Sequence, residues 1–191
     1  AGNRIPSLYL RPIGMSVDRA LDQLRGRDVD ASPGPEGSST IRLPAGTDPA
    51  QLLEMVAGVI QDPAASFVVE LVGAAPGDRV ADLCAAPGGK GIALAGEGAW
   101  VIGLDPSFSR LGRMRDSLRR LELPMRLVAA RGERPPLEPF DIVLVDEPTN
   151  SLDPEHQLAV FHLLRAIVDQ GKAAFVVTHE LNLASQFATR V

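Results

Sequence analysis

From Arg79 onward, short apolar runs alternate with segments whose apolar residues recur at helical spacing, and this alternation restricts the chain to a parallel sheet with crossover helices. The runs predict strands at Val80 to Cys84, Trp100 to Leu104, Met125 to Ala129, Ile142 to Val145 and Ala173 to Thr178. Between them, Leu111, Met114, Leu118 and Leu121 form one apolar stripe, and Leu158, Phe161, Leu164 and Val168 form another. Both stripes read as core contacts of crossover helices.

A smaller α+β unit is expected ahead of this sheet. It has a short apolar segment at Ser7 to Leu10, a helix capped by Ser16 with Val17, Ala20, Leu21 and Leu24 on one face, a loop over 32–39, and a short strand at Thr40 to Leu43. Asp48-Pro49, Asp62-Pro63 and Asp153-Pro154 each set an N-cap acceptor before a proline suited to the first helical position. The first of these helices is predicted to carry Leu52, Leu53, Val56 and Ile60, and the second Ala65, Val68, Val69 and Leu71 up to Gly73. The expected division is a small N-terminal unit over 1–58, a ligand-binding core over 59–147, and a segment over 148–191 that completes the sheet.

Composition narrows the function classes. With 191 residues, 45% of them hydrophobic, the chain can bury one substantial core. Its apolar stretches are of strand length, so no membrane span or secretion signal is expected, and the single cysteine, Cys84, fits a reducing compartment, with the cytoplasm as the expected location. A net charge of -5 argues against gripping nucleic acid over a whole face. Arginines crowd the stretch 110–134, however, and one local surface there is suited to RNA, although a solvated helix face explains the same run. No Cys, His and acid cluster supports a metal, since His156 and His162 fall on different helix faces.

The first predicted strand runs into Cys84-Ala85-Ala86-Pro87-Gly88-Gly89-Lys90-Gly91, followed by the helical Ile92 to Ala95. A glycine-rich bend between a strand end and a helix start lets backbone approach a ligand and aims free N–H groups at it, which favours a carboxylate or phosphate. A Walker phosphate loop fails on spacing, because Cys84 stands where glycine is required and Gly91 where a hydroxyl is required. Asp105, closing the second strand, sets a carboxylate where ribose hydroxyls are commonly accepted. A nucleoside without phosphates fits better than a nucleotide.

The stretches Gln61 to Ala64, Asp82 to Lys90, Leu104-Asp105 and Phe140 to Asp146 resemble successive motifs of the RNA (cytosine-5) methyltransferases, a family that includes bacterial ribosomal RNA enzymes. The resemblance spans about residues 1–147. It implies a Rossmann-like class I methyltransferase sheet and S-adenosylmethionine as cofactor. It also implies that Cys84, Ala85, Ala86, Pro87, Gly88, Gly89 and Lys90 hold the methionine end, that Asp105 binds the ribose, and that Asp146 contacts the donor or the target base. Departures follow. Family members continue the fourth strand as Asp-Ala-Pro-Cys and the fifth as Thr-Cys-Ser, whereas this chain has Asp146-Glu147-Pro148-Thr149 and Thr178-His179-Glu180. Thr149 and His179 therefore occupy the two cysteine positions, and no catalytic cysteine is intact. Arg131 falls near where the family places an acid facing adenine.

Over about 142–191 the chain resembles ATP-binding cassette ATPases instead. Leu144 to Asn150 looks like a Walker B strand, Ser151 to Pro154 like a D-loop, and Thr178 to Asn182 like a switch-histidine segment. That resemblance implies Asp146 orienting Mg²⁺, Glu147 polarising water and His179 sensing a γ-phosphate, with Mg-ATP as the alternative ligand. The joint is chimera-like. The expected function is a donor-binding domain of the RNA cytosine-5 methyltransferase type, catalytically impaired. The alternatives are an ATPase-like fragment without a phosphate loop, or a non-catalytic interaction protein. The last strand is expected to add outside the fourth, and the final antiparallel strands of methyltransferases are expected to be missing, which leaves an edge open to homodimer formation.

Overall fold

The computed structural model describes residues 6–130, 139–148 and 154–190. Thr149, Arg131 and the stretch 150–153, which includes the expected cap Asp153, lie outside the described residues.

The N-terminal unit comprises β1 (Leu8–Pro12), α1 (Val17–Arg25), β2 (Ser32–Pro33), β3 (Ile41–Leu43), α2 (Pro49–Met55) and β4 (Gly58–Ile60). Its strands form an antiparallel sheet in the order β2-β3-β1-β4. Local chemistry sets the helix starts: the Ser16 hydroxyl accepts the Arg19 N–H, and Asp48 accepts the Ala50 N–H with Pro49 in the first turn. Ala20, Leu21 and Leu24 of α1 pack with Leu10, Ile41, Leu43 and Leu52 into a small core of their own.

Here the structure corrects the sequence reading. The helix predicted to reach Ile60 ends at Met55, and Val59 and Ile60 belong to β4, which pairs with β1 in the register Leu10↔Ile60, Arg11↔Val59 and Pro12↔Gly58. A Cβ on Gly58 would lie 2.6 Å from the Arg11 carbonyl oxygen, so glycine is what allows the two strands to meet. Cross-strand pairing overrides the helical spacing of the apolar residues. Ser32 and Pro33, expected in a loop, likewise pair with β3.

α3 (Pro63–Val72) leads out of this unit, capped by Asp62 at its start and by Gly73 in the left-handed region at its end. Its buried face runs through Ser66, Val69 and Val72, not through Leu71, which is 74% exposed. Ser66 replaces an apolar residue on that face because its hydroxyl accepts from the buried Arg11 guanidinium at 2.6 Å.

The main sheet follows: β5 (Arg79–Asp82), α4 (Gly89–Gly96), β6 (Trp100–Leu104), α5 (Phe108–Leu121), β7 (Met125–Val128), β8 (Ile142–Asp146), α6 (Pro154–Asp169), β9 (Ala173–Val177) and α7 (Leu181–Phe187). All its pairings are parallel and the order is β7-β6-β5-β8-β9. The fold is therefore α/β with a Rossmann-like arrangement, as the alternation predicted, and β9 adds outside β8 as expected. Burial alternates along the strands: Val80, Val101, Ile142 and Leu144 face a core shared with α3, α4 and α5, while Ala81, Ile102, Leu104, Val143 and Val145 face a second core that includes Leu164 of α6. Leu111, Met114 and Leu118 of α5 are buried as predicted. Of the α6 stripe, Phe161 and Leu164 are buried, whereas Leu158 is exposed because this helix lies over the outer strands and meets the sheet along a narrow seam.

Candidate functional site

Neighbouring strands of the main sheet diverge in connection at β5 and β8: the chain proceeds from β5 through β6 to β7 on one side, and from β8 to β9 on the other. The carboxyl ends of strands at such a switch point frame a crevice, because the two crossovers leave in opposite directions. A cleft of about 390 Å³ opens there, lined by the whole loop Cys84 to Lys90 together with Asp82, Gln61, Arg120 and Asp146.

The loop is built around the start of α4. Gly88 is the N-cap residue, with φ at +112° and no side chain to satisfy the first N–H groups of the helix. Those groups are therefore free to meet a ligand. A Cβ on Gly88 would lie 2.9 Å from Ile92 Cδ1 and 2.9 Å from Met114 Cγ, so this glycine is demanded by packing beneath the loop as well as by its positive φ. Gly91 is similarly constrained: its Cβ would meet Asp82 Oδ2 at 2.9 Å. The Ala86–Pro87 peptide is cis.

Lys90 reaches from the first turn of α4 to the end of β8, where its Nζ donates to Asp146 Oδ2 at 2.5 Å. The ion pair ties the loop to the neighbouring strand and sets both charges at the cleft wall. Asp82, at the end of β5, is buried and accepts the Cys84 N–H at 3.3 Å. Burial pushes its carboxyl up to about 7, against the Cys84 hydrogen bond and the charge of Lys90, while Asp146 and Asp105 reinforce the rise. Burial and the adjacent Asp82 also push the Cys84 thiol up to about 11, which keeps it protonated and makes it a poor nucleophile.

Asp105 occupies the end of β6, one strand away. It is buried, and its Oδ1 accepts the Ser107 N–H at 2.7 Å and pairs with Arg110 at 3.0 Å, so it organises the start of α5 and stands behind the wall of the cleft. Glu147 and His179 meet at the ends of β8 and β9, with Nδ1 2.8 Å from Oε2 and Glu147 itself at a φ of +49°. That contact has ion-pair distance, but Oε2 has no aligned hydrogen bond.

The structure thus gathers the predicted loop residues and Asp146 into one wall and sets Glu147 with His179 beside β8. Asp82, Gln61 and Arg120 line the cleft but are not among the expected site residues. Asp82 and Gln61 had a signal, since each lies inside a stretch used for the family resemblance. Arg120 had none: on α5 it belonged to a run that reads as a solvated face, yet it donates to the Gly58 carbonyl at 2.8 Å, and burial lowers its pKa. Arg110 and Arg119 of the same run are paired with acids, while Arg113 and Arg115 are exposed. A second hollow of about 410 Å³ between α5 and β7 holds no glycine turn and no carboxyl end of a strand, which makes it the weaker candidate. Among the described residues no three His, Cys, Asp or Glu side chains group as metal ligands, and no helix is long and apolar enough to cross a membrane.

Residues 69–158 match the profile of the 16S rRNA methyltransferase RsmB/F family. Ribosomal RNA small subunit methyltransferase B of Yersinia pseudotuberculosis serotype O:1b (strain IP 31758) is 31% identical over 161 residues, covering 79% of this chain and 38% of the relative. The protein of that name from Yersinia pestis matches with the same identity and coverage, so the chain spans 38% of the length of these curated relatives. Among solved structures, a methyltransferase homolog protein from Pyrococcus horikoshii superposes with a TM-score of 0.65 at 21% identity, over 88% of this chain and 60% of that one.

Proposed function

We propose, from the match of residues 69–158 to the RsmB/F methyltransferase family, that the cleft binds S-adenosylmethionine and that the chain serves as the donor-binding part of an RNA cytosine-5 methyltransferase with impaired methyl transfer. The observation that carries this reading is the uncapped start of α4 at the switch point, with Lys90 already neutralised by Asp146. Such a site offers backbone N–H groups to a carboxylate, while its cations are already engaged, Lys90 by Asp146 and Arg120 by the Gly58 carbonyl. The space is of the right kind for a nucleoside amino acid: about 390 Å³, with buried polar groups in its wall.

When bound, the donor supplies an electrophilic methyl group on sulfur. The residues of the chain bind and orient it: the α4 N–H groups take the carboxylate, while Asp105, buried outside the cleft lining with its Oδ1 held by Ser107 and Arg110, keeps a ribose role only as the family resemblance implies it. Impairment follows from chemistry. A cytosine ring carbon becomes nucleophilic once a thiolate has added to the ring, and thiolates are the side chains suited to that at neutral pH. Thr149 and His179 stand at the expected cysteine positions, and Cys84 keeps its proton. RNA is the substrate class that fits the family, with Arg113 and Arg115 as its first contacts on α5.

The ATPase-like reading of Asp146, Glu147 and His179 ranks second. Glu147 and His179 do meet, but Asp146, the residue meant to orient Mg²⁺, is engaged by Lys90. Calorimetry separates the two. S-adenosylhomocysteine is expected to release or absorb heat at micromolar concentration and Mg-ATP to give none. Folded protein that is silent toward S-adenosylhomocysteine at high micromolar concentration would end the donor-binding proposal.

A further inference from the structure

We infer that Gln61 reads the amino-acid end of the methyl donor, its amide N–H groups donating to the carboxylate and its carbonyl oxygen accepting from the ammonium. The inference rests on the donor-binding reading above and adds to it a residue that determines which adenosyl ligands are held. Gln61 is 4% exposed, and neither its Nε2 nor its Oε1 has a hydrogen-bond partner. An unpaired buried carboxamide costs free energy that a leucine or methionine of similar size would avoid while packing equally well. A partner absent from the folded chain accounts for the choice of residue.

Location says which partner. The backbone of Gln61 is fixed from both sides: its N–H donates to the Tyr9 carbonyl at 3.1 Å, and the next residue, Asp62, caps α3. Its side chain lies in the wall of the cleft against Gly89, the first residue of α4, where a Cβ would meet Nε2 at 3.3 Å. The carboxamide therefore sits beside the free N–H groups of that helix, where an anion is favoured. The cations of the cleft wall are engaged, Lys90 by Asp146 and Arg120 by the Gly58 carbonyl, and Gln61 is the side chain beside Gly89 with unpaired donors. A carboxamide also suits a zwitterion whose carboxylate and ammonium branch from one carbon, because it offers donor and acceptor side by side. Its last torsion is soft, so the amide plane re-aims as the ligand arrives without leaving its rotamer.

The test compares two ligands that share the adenosyl sulfur and differ in the amino acid: S-adenosylhomocysteine and 5′-methylthioadenosine. In calorimetry, Gln61→Leu is expected to weaken S-adenosylhomocysteine by about tenfold to a hundredfold, the loss typical of removing a hydrogen-bond partner from a charged group, and to leave methylthioadenosine within about twofold. Thermal unfolding of the ligand-free variant should be unchanged or shifted upward. Gln61→Met serves the same comparison should the leucine variant fail to fold. Equal losses for both ligands, or no loss for either, overturn the assignment; so does a variant that keeps S-adenosylhomocysteine but loses RNA, which would make Gln61 a base contact. Wild-type protein that binds neither ligand removes the donor-binding reading itself, and this inference with it.

Discussion

Asp82 concentrates the electrostatic cost of the cleft in one side chain. In the unfolded chain its carboxyl titrates near 3.9, whereas in the fold burial pushes it up to about 7. Between those values the native state holds a proton that the unfolded chain has lost, so this residue makes stability fall as pH rises through the window and level off above it. Asp82→Asn removes the titration while keeping the acceptor for the Cys84 N–H. Urea unfolding at pH 5 and pH 8 checks this: the wild type should lose more stability than the variant between the two. Equal losses would mean that Asp82 is ionised throughout.

At the level of elements, the turn from β5 into α4 distinguishes two glycines that look alike in sequence. Gly88→Ala sets a Cβ against Ile92 and Met114 in the core and holds an L-residue at a φ of +112°. Overpacking and left-handed strain each cost about 1–3 kcal/mol, so a loss of stability of that order is expected. Gly89→Ala meets Gln61 Nε2 at 3.3 Å instead. It should leave stability nearly unchanged and weaken S-adenosylhomocysteine, as read by urea unfolding beside calorimetry. The reverse pattern would place the ligand elsewhere. The same turn shows what is legible in a sequence and what is not. Glycine spacing announces the bend, but Met114, which crowds Gly88, comes from α5, and Gln61, which faces Gly89, comes from the β4–α3 junction. The main strands and the capped helix starts are readable because their signals are local: apolar alternation, and an acid or serine before the first turn. β4 is not, since Val59 and Ile60 become a strand through β1, and Ser66 joins the core through Arg11. Within the cleft, the loop and Asp146 are readable from their motifs, while Arg120 depends on a contact between α5 and Gly58 that no local pattern encodes.

For the molecule as a whole, the decisive joint lies between the small unit and the main sheet. Arg11 of β1 is 3% exposed, and its guanidinium donates to Ser66 and Glu70 of α3 and to Glu97 at the end of α4. Ile13 and Val59 extend the same joint into the main core. Because Gln61 follows β4 directly, the small unit also determines where one wall of the cleft stands. The two sheets should therefore unfold together, and ligand affinity should depend on a residue that never touches the cleft. Arg11→Met keeps most of the packing volume but leaves the Ser66 hydroxyl buried without its donor. Glu70 and Glu97 are partly exposed and can hydrate, which holds the expected loss to about 1–3 kcal/mol, below that of breaking a fully buried ion pair. Wild-type protein should show one unfolding transition by both circular dichroism and Trp100 fluorescence. In the variant the two probes should separate, and S-adenosylhomocysteine should bind more weakly. Coincident transitions in the variant, with affinity unchanged, would show that Ile13 and Val59 hold the joint without the ion pairs.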